Sequence, residues 1–228
     1  MGTGMIWIIF IGIAAVSWLV QMNLQNKFKK YSKIPTGNGM TGADVALKML
    51  HDNGIYDVTV THTPGHLTDH YNPANKTVNL SESVYSSNSI MAAAVAAHEC
   101  GHAVQHARAY APLTMRSKLV PVVSFASQWM TWLLLAGILL LNSFPQLLLA
   151  GIILFALTTL FSFITLPVEI NASKRALVWL SNSGITNSYN HAQAEDALRS
   201  AAYTYVVAAL GSLATLIYYV TIYMNRRE

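Results

Sequence analysis

The chain has a single cysteine, Cys100, among its 228 residues. One cysteine cannot form an internal disulfide, so the sequence excludes a disulfide-stabilised scaffold and suits a reducing compartment such as the cytoplasm. Charge is also scarce, because Asp, Glu, Lys and Arg make up only 11% of the residues, against about 25% in a typical soluble domain. This scarcity argues against a soluble protein, whose surface would need more charge.

Acidic residues are fewer than basic ones, with ten Asp and Glu against fourteen Lys and Arg. The resulting net charge of +4 does not indicate a nucleic-acid partner. The basic residues flank apolar runs and do not form a patch interleaved with aromatic residues, as a nucleic-acid surface would. We therefore expect no nucleic-acid partner and attribute the positive charge to membrane topology.

Apolar residues, which make up 53% of the chain, collect in four long runs at residues 5–22, 119–141, 147–166 and 201–224. Each run has the length of a candidate transmembrane helix. A cleaved signal peptide is the alternative for the first run, but its lysines follow the run instead of preceding it, so we interpret it as an uncleaved span. The alternative for each run is a buried core helix of a soluble protein. Four such helices would leave too few other residues in this chain to cover them.

The lysines and arginines predict the orientation of these spans. Nine of them lie within residues 25–118 and three more lie within residues 167–200. Four spans place both segments on the same side of the bilayer, and the positive-inside rule predicts that this side is the cytoplasmic face of the plasma membrane. Both termini then face outside, although Arg226 and Arg227 go against the rule.

The most informative motif is His98-Glu99-Cys100-Gly101-His102, which follows an alanine-rich stretch that favours a helix. Residues four apart share a helix face, so His98 and His102 can hold one zinc ion. Glu99 can then reach a water on that metal and accept its proton. Cys100 lies two residues from each histidine and points away from their shared face, so we interpret it as a helix-packing residue. The motif predicts a zinc peptidase.

The predicted fold is a mainly α membrane protein with four transmembrane helices and a small cytoplasmic α+β catalytic region of zincin-like type. Its predicted segments are a first transmembrane helix (1–24), the cytoplasmic α+β region (25–118), a transmembrane hairpin (119–166), a second cytoplasmic segment (167–200), and a last transmembrane helix with a tail (201–228).

A polar linker at residues 25–39 is predicted after the first span. Thr41 is then expected to cap a helix at residues 42–51, and Ser89 is expected to cap the helix that carries the motif. Alternation and turn residues predict three short strands at residues 57–62, 67–71 and 77–80.

The strand at 77–80 is our candidate for an edge strand that binds the substrate backbone, with an ordinary sheet strand as the alternative. His62, His66 and His70 recur every four residues, but the Pro-Gly pair between them prevents a regular helix, so we do not expect a second metal site there. His106 is interpreted as a packing residue or a supporting residue behind the ligands.

Catalytic zinc usually has three protein ligands and one water, so a third ligand is needed. Glu169 is the leading candidate, because it follows Pro167-Val168 where the third apolar run ends, on the same predicted side as the motif. The alternative interpretation is an interfacial carboxylate paired with a nearby basic residue, although exposed pairs contribute little stability. Glu195-Asp196 is the second candidate, and acids at a helix N-terminus also explain that pair.

Five stretches carry a family resemblance, at residues 67–73, 76–81, 95–106, 166–173 and 199–206: LTDHYNP, KTVNLS, VAAHECGHAVQH, LPVEINAS and RSAAYTYV. In these stretches the chain resembles the YugP-like family of bacterial membrane-bound neutral zinc metallopeptidases. The resemblance implies a gluzincin-type site, in which His98, His102 and Glu169 hold Zn²⁺ and Glu99 is the general base. Many members of that family have Asp where this chain has Asn171. If that Asp orients a ligand, the change weakens this support without removing a ligand.

The motif and the resemblance together predict a zinc metalloendopeptidase that hydrolyses peptide bonds of membrane or membrane-proximal proteins. The expected partners are a protein or peptide substrate and the lipid bilayer. An intramembrane protease is one alternative, although the uncharged stretch before His98 is too short for a span. A catalytically inactive membrane scaffold is the other alternative. Tyr189, His191 and Tyr203 are equal candidates for a second oxyanion donor, and the sequence does not predict the oligomeric state.

Overall fold

The computed structural model describes residues 3–225, without the side chains of residues 3–7 and 9. Its elements in chain order are α1 (Thr3–Tyr31), α2 (Gly42–Asp52), β1 (Thr59–Thr63), β2 (His70–Asn72), β3 (Thr77–Ser81), α3 (Glu82–Tyr85), α4 (Ile90–Ala107), α5 (Ala111–Leu139), α6 (Pro145–Asn182) and α7 (His191–Asn225). The predicted tail with Arg226 and Arg227 lies outside the described residues, so the orientation of the termini stays a prediction.

The described residues form two compact units. The helical unit comprises residues 3–18, 114–166 and 204–225, and the α+β unit comprises residues 19–113 and 167–203. Helices α1, α5, α6 and α7 each contribute residues to both units. All the residues of the predicted metal site belong to the α+β unit.

Apolar helices dominate the helical unit. Three helices in the described part of the chain, α5, α6 and α7, are long and apolar enough to cross a membrane. Large side chains such as Trp129, Trp132 and Leu139 are exposed, as expected of surfaces that face lipid. The prediction of a mainly helical protein with apolar spans and a small sheet is confirmed. The fourth span, predicted at residues 5–22 within α1, stays a prediction.

Small residues let α5 and α6 approach each other closely within the helical unit. A Cβ atom added to Gly137 would overlap the backbone of Leu148, and one added to Gly151 would lie 2.9 Å from the backbone nitrogen of Leu134. Close backbone approach at small residues is the usual way in which helices pack in a bilayer. The packing agrees with the hairpin expected from the short connection between the second and third apolar runs.

Helix α1 extends through the first seven of the fifteen residues of the predicted polar linker (25–39) and ends at Tyr31. The linker prediction was wrong at its start, because Phe28 and Tyr31 are buried in the core of the α+β unit. Lys27 and Tyr31 also bind the carboxylate of Asp196, at 2.7 and 2.6 Å. The lysines that follow the apolar run made this segment look like a polar linker, although it continues the helix and buries one face.

The predicted helix caps are confirmed. The Thr41 hydroxyl accepts a hydrogen bond from the backbone of Asp44, whose carboxylate accepts one from the Thr41 backbone, so the start of α2 is a capping box. Ser89 accepts a hydrogen bond from the backbone N–H of Ala92 at the start of α4. The cap determines the residue at which α4, the helix that carries the histidines, begins.

The three strands form one sheet in the order β1-β3-β2, with β1 parallel and β2 antiparallel to β3. The prediction of an edge strand at residues 77–80 was therefore wrong, since β3 is the central strand. Its Val78 and Leu80 are fully buried, which suits a central position. The second strand, predicted at residues 67–71, lies at His70–Asn72, and Leu67 has φ +59°, a left-handed conformation that a regular strand cannot include.

Gly101 allows α4 to contact α6 closely beside the histidines. A Cβ atom at this position would lie 2.7 Å from the carbonyl oxygen of Ala172 and 3.1 Å from its Cα. Those atoms belong to the backbone, so a side chain at position 101 would push the two helices apart. The glycine therefore lets the helix with the histidines lie directly against the helix with Glu169.

We expect Gly101→Ala to destabilise the protein, although alanine normally favours a helix over glycine by about 1 kcal/mol. The overlap with Ala172 should cost about 1–3 kcal/mol and lower the melting temperature in detergent. Gly12→Ala is a matched control, since Gly12 is also helical and a Cβ there would meet nothing within 4 Å. Equal melting temperatures for Gly101→Ala and the wild type would contradict the close contact.

Candidate metal centre

Helix α4 places the two histidines of the motif one turn apart on the same face, with ring centroids 4.8 Å apart. Helix α6 brings Glu169 against them from a second direction. The Glu169 Oε2 atom lies 3.2 Å from Nε2 of His98 and 3.5 Å from Nε2 of His102. Within the described residues, these three side chains form the one group of potential ligands whose donor atoms all lie within 4.8 Å of one another.

The two distances from Glu169 to the histidines fit a tetrahedral zinc ion. Zinc binds histidine nitrogen and carboxylate oxygen at about 2.0–2.1 Å, so two ligands at a tetrahedral angle lie about 3.3 Å apart. The distances of 3.2 and 3.5 Å from Glu169 to the histidines bracket this value. All three ligand atoms lie within 4.8 Å of one another, so they are close enough to share one ion.

The other ring nitrogens of both histidines are already engaged. His98 Nδ1 lies 3.0 Å from the hydroxyl oxygen of Ser173, and His102 Nδ1 lies 3.1 Å from the side-chain oxygen of Gln105. A metal-binding histidine typically donates its second N–H to a fixed acceptor, which sets the tautomer and the ring orientation. Both Nε2 atoms are thus the ones directed at Glu169 and available to a metal.

Gln105, on α4, is fully buried where α4 contacts α6, next to His102. Its side-chain nitrogen donates to the backbone oxygen of Val168 at 2.8 Å and to the side-chain oxygen of Asn171 at 3.0 Å. Asn171 also accepts a hydrogen bond from Nε of Arg175 at 2.7 Å. Asn171 therefore orients Gln105 and does not contact a predicted ligand itself. Asn171 can therefore influence His102 only through Gln105.

Removal of Gln105 should weaken metal binding while all three proposed ligands remain. We expect Gln105→Ala to lower the zinc affinity by about 10–100-fold, the usual effect of losing the partner of a ligating histidine. Competition with a chelator of known affinity measures this change. Gln25→Ala, which removes an exposed glutamine from α1, serves as the control. Unchanged affinity in Gln105→Ala would contradict the orienting role.

Glu99 is held beside the histidines by the neighbouring strand. Its side-chain Oε2 accepts a hydrogen bond from the backbone N–H of Tyr71 in β2 at 3.0 Å. The Tyr71 hydroxyl lies 2.7 Å from Nδ1 of His106, so the same residue contacts α4 at two points two turns apart. β2 is an edge strand of the sheet, and its outward N–H is already used by Glu99. His106 thus contacts the residue that holds Glu99 and has no described hydrogen bond to a predicted ligand.

The carboxylates make the cluster attractive to a cation. Burial by itself lowers the pKa of His102, but the hydrogen bond with Glu169 and the negative charges of Glu99 and Glu169 outweigh it and raise the pKa above its ordinary value. The same field that stabilises a protonated imidazole stabilises a bound cation, and the buried cluster is only weakly screened by solvent. The electrostatics therefore agree with the donor geometry.

Cys100 is not part of the cluster. The residue is fully buried, and its thiol donates to the backbone oxygen of Ala46 at 3.5 Å. Burial raises the pKa of the thiol well above its ordinary value, so the thiolate that a metal would need is strongly disfavoured. The prediction of a packing residue on the opposite side of the helix is confirmed.

The other acids and histidines considered as ligands do not join this group of ligand atoms in the described residues. Asp196 binds Lys27 and Tyr31, while Glu195 is exposed. His62 pairs with Glu82 at 2.8 Å instead of joining a metal site. The three candidates for a second oxyanion donor were Tyr189, His191 and Tyr203. None of them forms a described hydrogen bond to a predicted ligand.

Two histidines one helical turn apart, a carboxylate from a second helix and a glutamate next to the first histidine together have the arrangement of a zinc peptidase. The family described as "Putative neutral zinc metallopeptidase" matches residues 6–224, and the chain belongs to it. The chain is 45% identical over 222 residues to the "Putative membrane protease YugP" of Bacillus subtilis (strain 168), with 96% of this chain and 98% of that protein covered. These findings confirm the family resemblance. No solved structure matches the chain.

Proposed function

We propose that the chain is a membrane zinc endopeptidase that holds one zinc ion on His98, His102 and Glu169. The observation that carries this proposal is the donor geometry. Three ligand atoms from two helices converge, the two distances from Glu169 to the histidines match tetrahedral spacing, and both histidines have their second nitrogen bound to a fixed partner. A structural zinc site would have four protein ligands, whereas three leave one position for water and substrate.

Glu99 acts as the general base in this proposal. Bound zinc would supply a water of lowered pKa and polarise the scissile carbonyl. Glu99 accepts a proton from the attacking water and then donates it to the leaving amine, so the carboxylate is regenerated after each cycle. The Tyr71 N–H fixes Oε2 of Glu99, while Oε1 has no protein hydrogen bond in the described part of the chain.

The proposed enzyme spans the plasma membrane four times, with its active site on the cytoplasmic side and both termini outside. Three long apolar helices and the uneven distribution of lysine and arginine support this topology. The five segments predicted from the sequence stay part of this proposal. The substrates are membrane proteins, or segments of other proteins close to the membrane, because these can reach an active site held at the bilayer.

Mapping of protein N-termini in membrane fractions tests the proposal. Cells that contain the wild type should show N-termini that are absent when Glu99→Gln replaces it, and these should fall in cytoplasmic loops or juxtamembrane segments. Glu82→Gln, an exposed substitution outside the cluster, should reproduce the wild-type pattern. Cleavage inside transmembrane segments would support the intramembrane alternative. Identical patterns for wild type and Glu99→Gln, together with absence of bound zinc, would support the inactive scaffold.

A further inference from the structure

A pocket of about 390 Å³ lies in the α+β unit between α2, α4 and α6, on the side of α6 that faces away from Glu169. Its volume is in the range of small-ligand sites, which runs from about 300 to 1,000 Å³. Met49, Val104, Val178 and Trp179 contribute the apolar part of the lining, in which Met49 and Val104 are buried and Val178 is exposed. The remaining lining is cationic or carries side-chain amides, with Lys174 and Arg175 adjacent on α6.

The charges around this pocket favour an anion. Neither Lys174 nor Arg175 forms an ion pair with an acid of the described chain. Arg108 adds a third cation at the edge, where it donates to the side chain of the lining residue Asn53 at 3.4 Å. Asp52 accepts a hydrogen bond from the lining residue Trp179 and is already paired with Lys48 at 3.0 Å.

The sequence position of the pocket favours a phosphate as the anion. Lys174 and Arg175 follow the end of the third predicted span, at Leu166, by eight and nine residues. Basic side chains that close to a span on the cytoplasmic side lie near the phosphates of anionic lipids. A guanidinium and an ammonium side by side, with amide donors from Asn171 and Asn182, also suit a group that offers several acceptor oxygens.

A chain of hydrogen bonds joins this pocket to the metal site. Arg175 donates through Nε to the side-chain oxygen of Asn171, which also accepts from Gln105, and the Gln105 oxygen lies 3.1 Å from Nδ1 of His102. An anion on the terminal nitrogens of Arg175 would leave its Nε–Asn171 bond intact and hold the guanidinium in place. The occupied pocket would thereby favour the orientation of His102 that leaves Nε2 directed at the metal.

We propose that this pocket binds a phosphate group and that its occupation strengthens zinc binding through Arg175, Asn171 and Gln105. The first part concerns binding alone and is independent of catalysis. The second part rests on the proposed function, because it assumes that zinc is held by His102. Zinc occupancy then depends on the phosphate that the pocket holds, whether this comes from a lipid headgroup or from solution.

The test uses the full-length protein in nanodiscs that contain either phosphatidylglycerol or only phosphatidylcholine, and in detergent with inorganic phosphate. Native mass spectrometry counts retained lipid, and calorimetry measures phosphate binding. Each cation near an anionic membrane contributes about 1 kcal/mol, so Lys174→Gln or Arg175→Gln should weaken binding about fivefold and the double variant about twenty- to thirtyfold. Arg199→Gln removes one exposed guanidinium elsewhere and should leave binding unchanged.

Binding of phosphatidylglycerol that is lost in the double variant supports the site and assigns the phosphate to a lipid headgroup. Loss of inorganic phosphate binding in the same variant, without lipid dependence, supports the site and assigns a free phosphate. Equal binding by wild type and double variant overturns the site, and so does tighter binding of acetate or an acidic peptide than of phosphate.

Zinc affinity measured with and without the bound phosphate tests the second part. At phosphate concentrations that saturate each protein, we expect a several-fold increase with phosphate in the wild type and no increase in Asn171→Ala, which interrupts the hydrogen-bond chain. Phosphate binding without any change in zinc affinity overturns the coupling and leaves the site. Absence of zinc from every sample contradicts the proposed function instead, while the phosphate measurements still decide whether the pocket binds an anion.

Discussion

Replacement of Glu99 by glutamine is expected to abolish peptide hydrolysis and leave zinc binding intact. The amide is isosteric with the carboxylate and can still accept the hydrogen bond from the backbone of Tyr71, so the fold around the site should be preserved. It cannot accept a proton from water. A missing general base typically lowers the rate by about 10²–10⁴-fold. The measurements are the rate of cleavage of a peptide or protein substrate and the zinc content of the same purified sample.

The control for this variant is Glu82→Gln. Glu82 is exposed, and its carboxylate pairs with His62, which is outside the metal cluster. We expect this variant to keep the zinc content and the cleavage rate of the wild type. A Glu99→Gln protein that still cleaves substrate at the wild-type rate would show that another group takes the proton. A variant that loses zinc as well as activity would assign Glu99 to metal binding.

Replacement of Glu169 by alanine is expected to remove zinc from the protein. Two histidines alone do not make a stable site for zinc, and Glu169 Oε2 is the atom toward which both Nε2 atoms converge. Loss of an outer partner of a ligand costs about 10–100-fold in affinity, and loss of the ligand itself should cost more than that. Zinc content after dialysis and competition with a chelator measure the change.

Glu195→Ala is the matched control, because Glu195 with Asp196 is the other candidate pair from the sequence. The structure leaves Glu195 exposed on α7. We expect it to keep one zinc ion per chain. Retention of zinc and activity in Glu169→Ala, with loss of both in Glu195→Ala, would reverse the assignment of the third ligand. The class of protein would stand, since it does not depend on which carboxylate completes the site.

The three proposed ligands could be predicted from the sequence because each depends on local information. The spacing of His98 and His102 determines a shared helix face, and the capping residue Ser89 determines where that helix begins. Glu169 was recognised by its place directly after an apolar run, in a chain with few other acids. Each of these features involves only a few neighbouring residues, so it can be recognised without knowledge of the tertiary structure.

The partners of these residues could not be predicted in the same way. Gln105 and Ser173 orient the histidines, but nothing in the local sequence distinguishes a buried glutamine or serine from an exposed one. Tyr71 contacts Glu99 through a backbone N–H, which no side-chain pattern reveals. Gln105 lies three residues after His102 and therefore on a neighbouring part of the same helix face, but this spacing alone does not show that the glutamine is buried against the histidine.

The order of the strands in the sheet also could not be predicted from the sequence. The pattern of residues 77–80 predicts a strand correctly, but the same pattern fits an edge and a central position. Strand β3 is central because β1 pairs with it in parallel and β2 returns on its other side. The continuation of α1 past its apolar run was missed for a similar reason, since Phe28 and Tyr31 find their core only in the folded protein.

X-ray absorption at the zinc edge of the purified wild type tests the central claim most directly. The account predicts one zinc ion per chain with nitrogen and oxygen neighbours at about 2.0–2.1 Å, two of them imidazoles, and no sulfur. The same spectrum should be obtained from Glu99→Gln, because Glu99 is not a ligand. A sulfur neighbour at about 2.3 Å would implicate Cys100 and contradict the account, as would the absence of bound zinc.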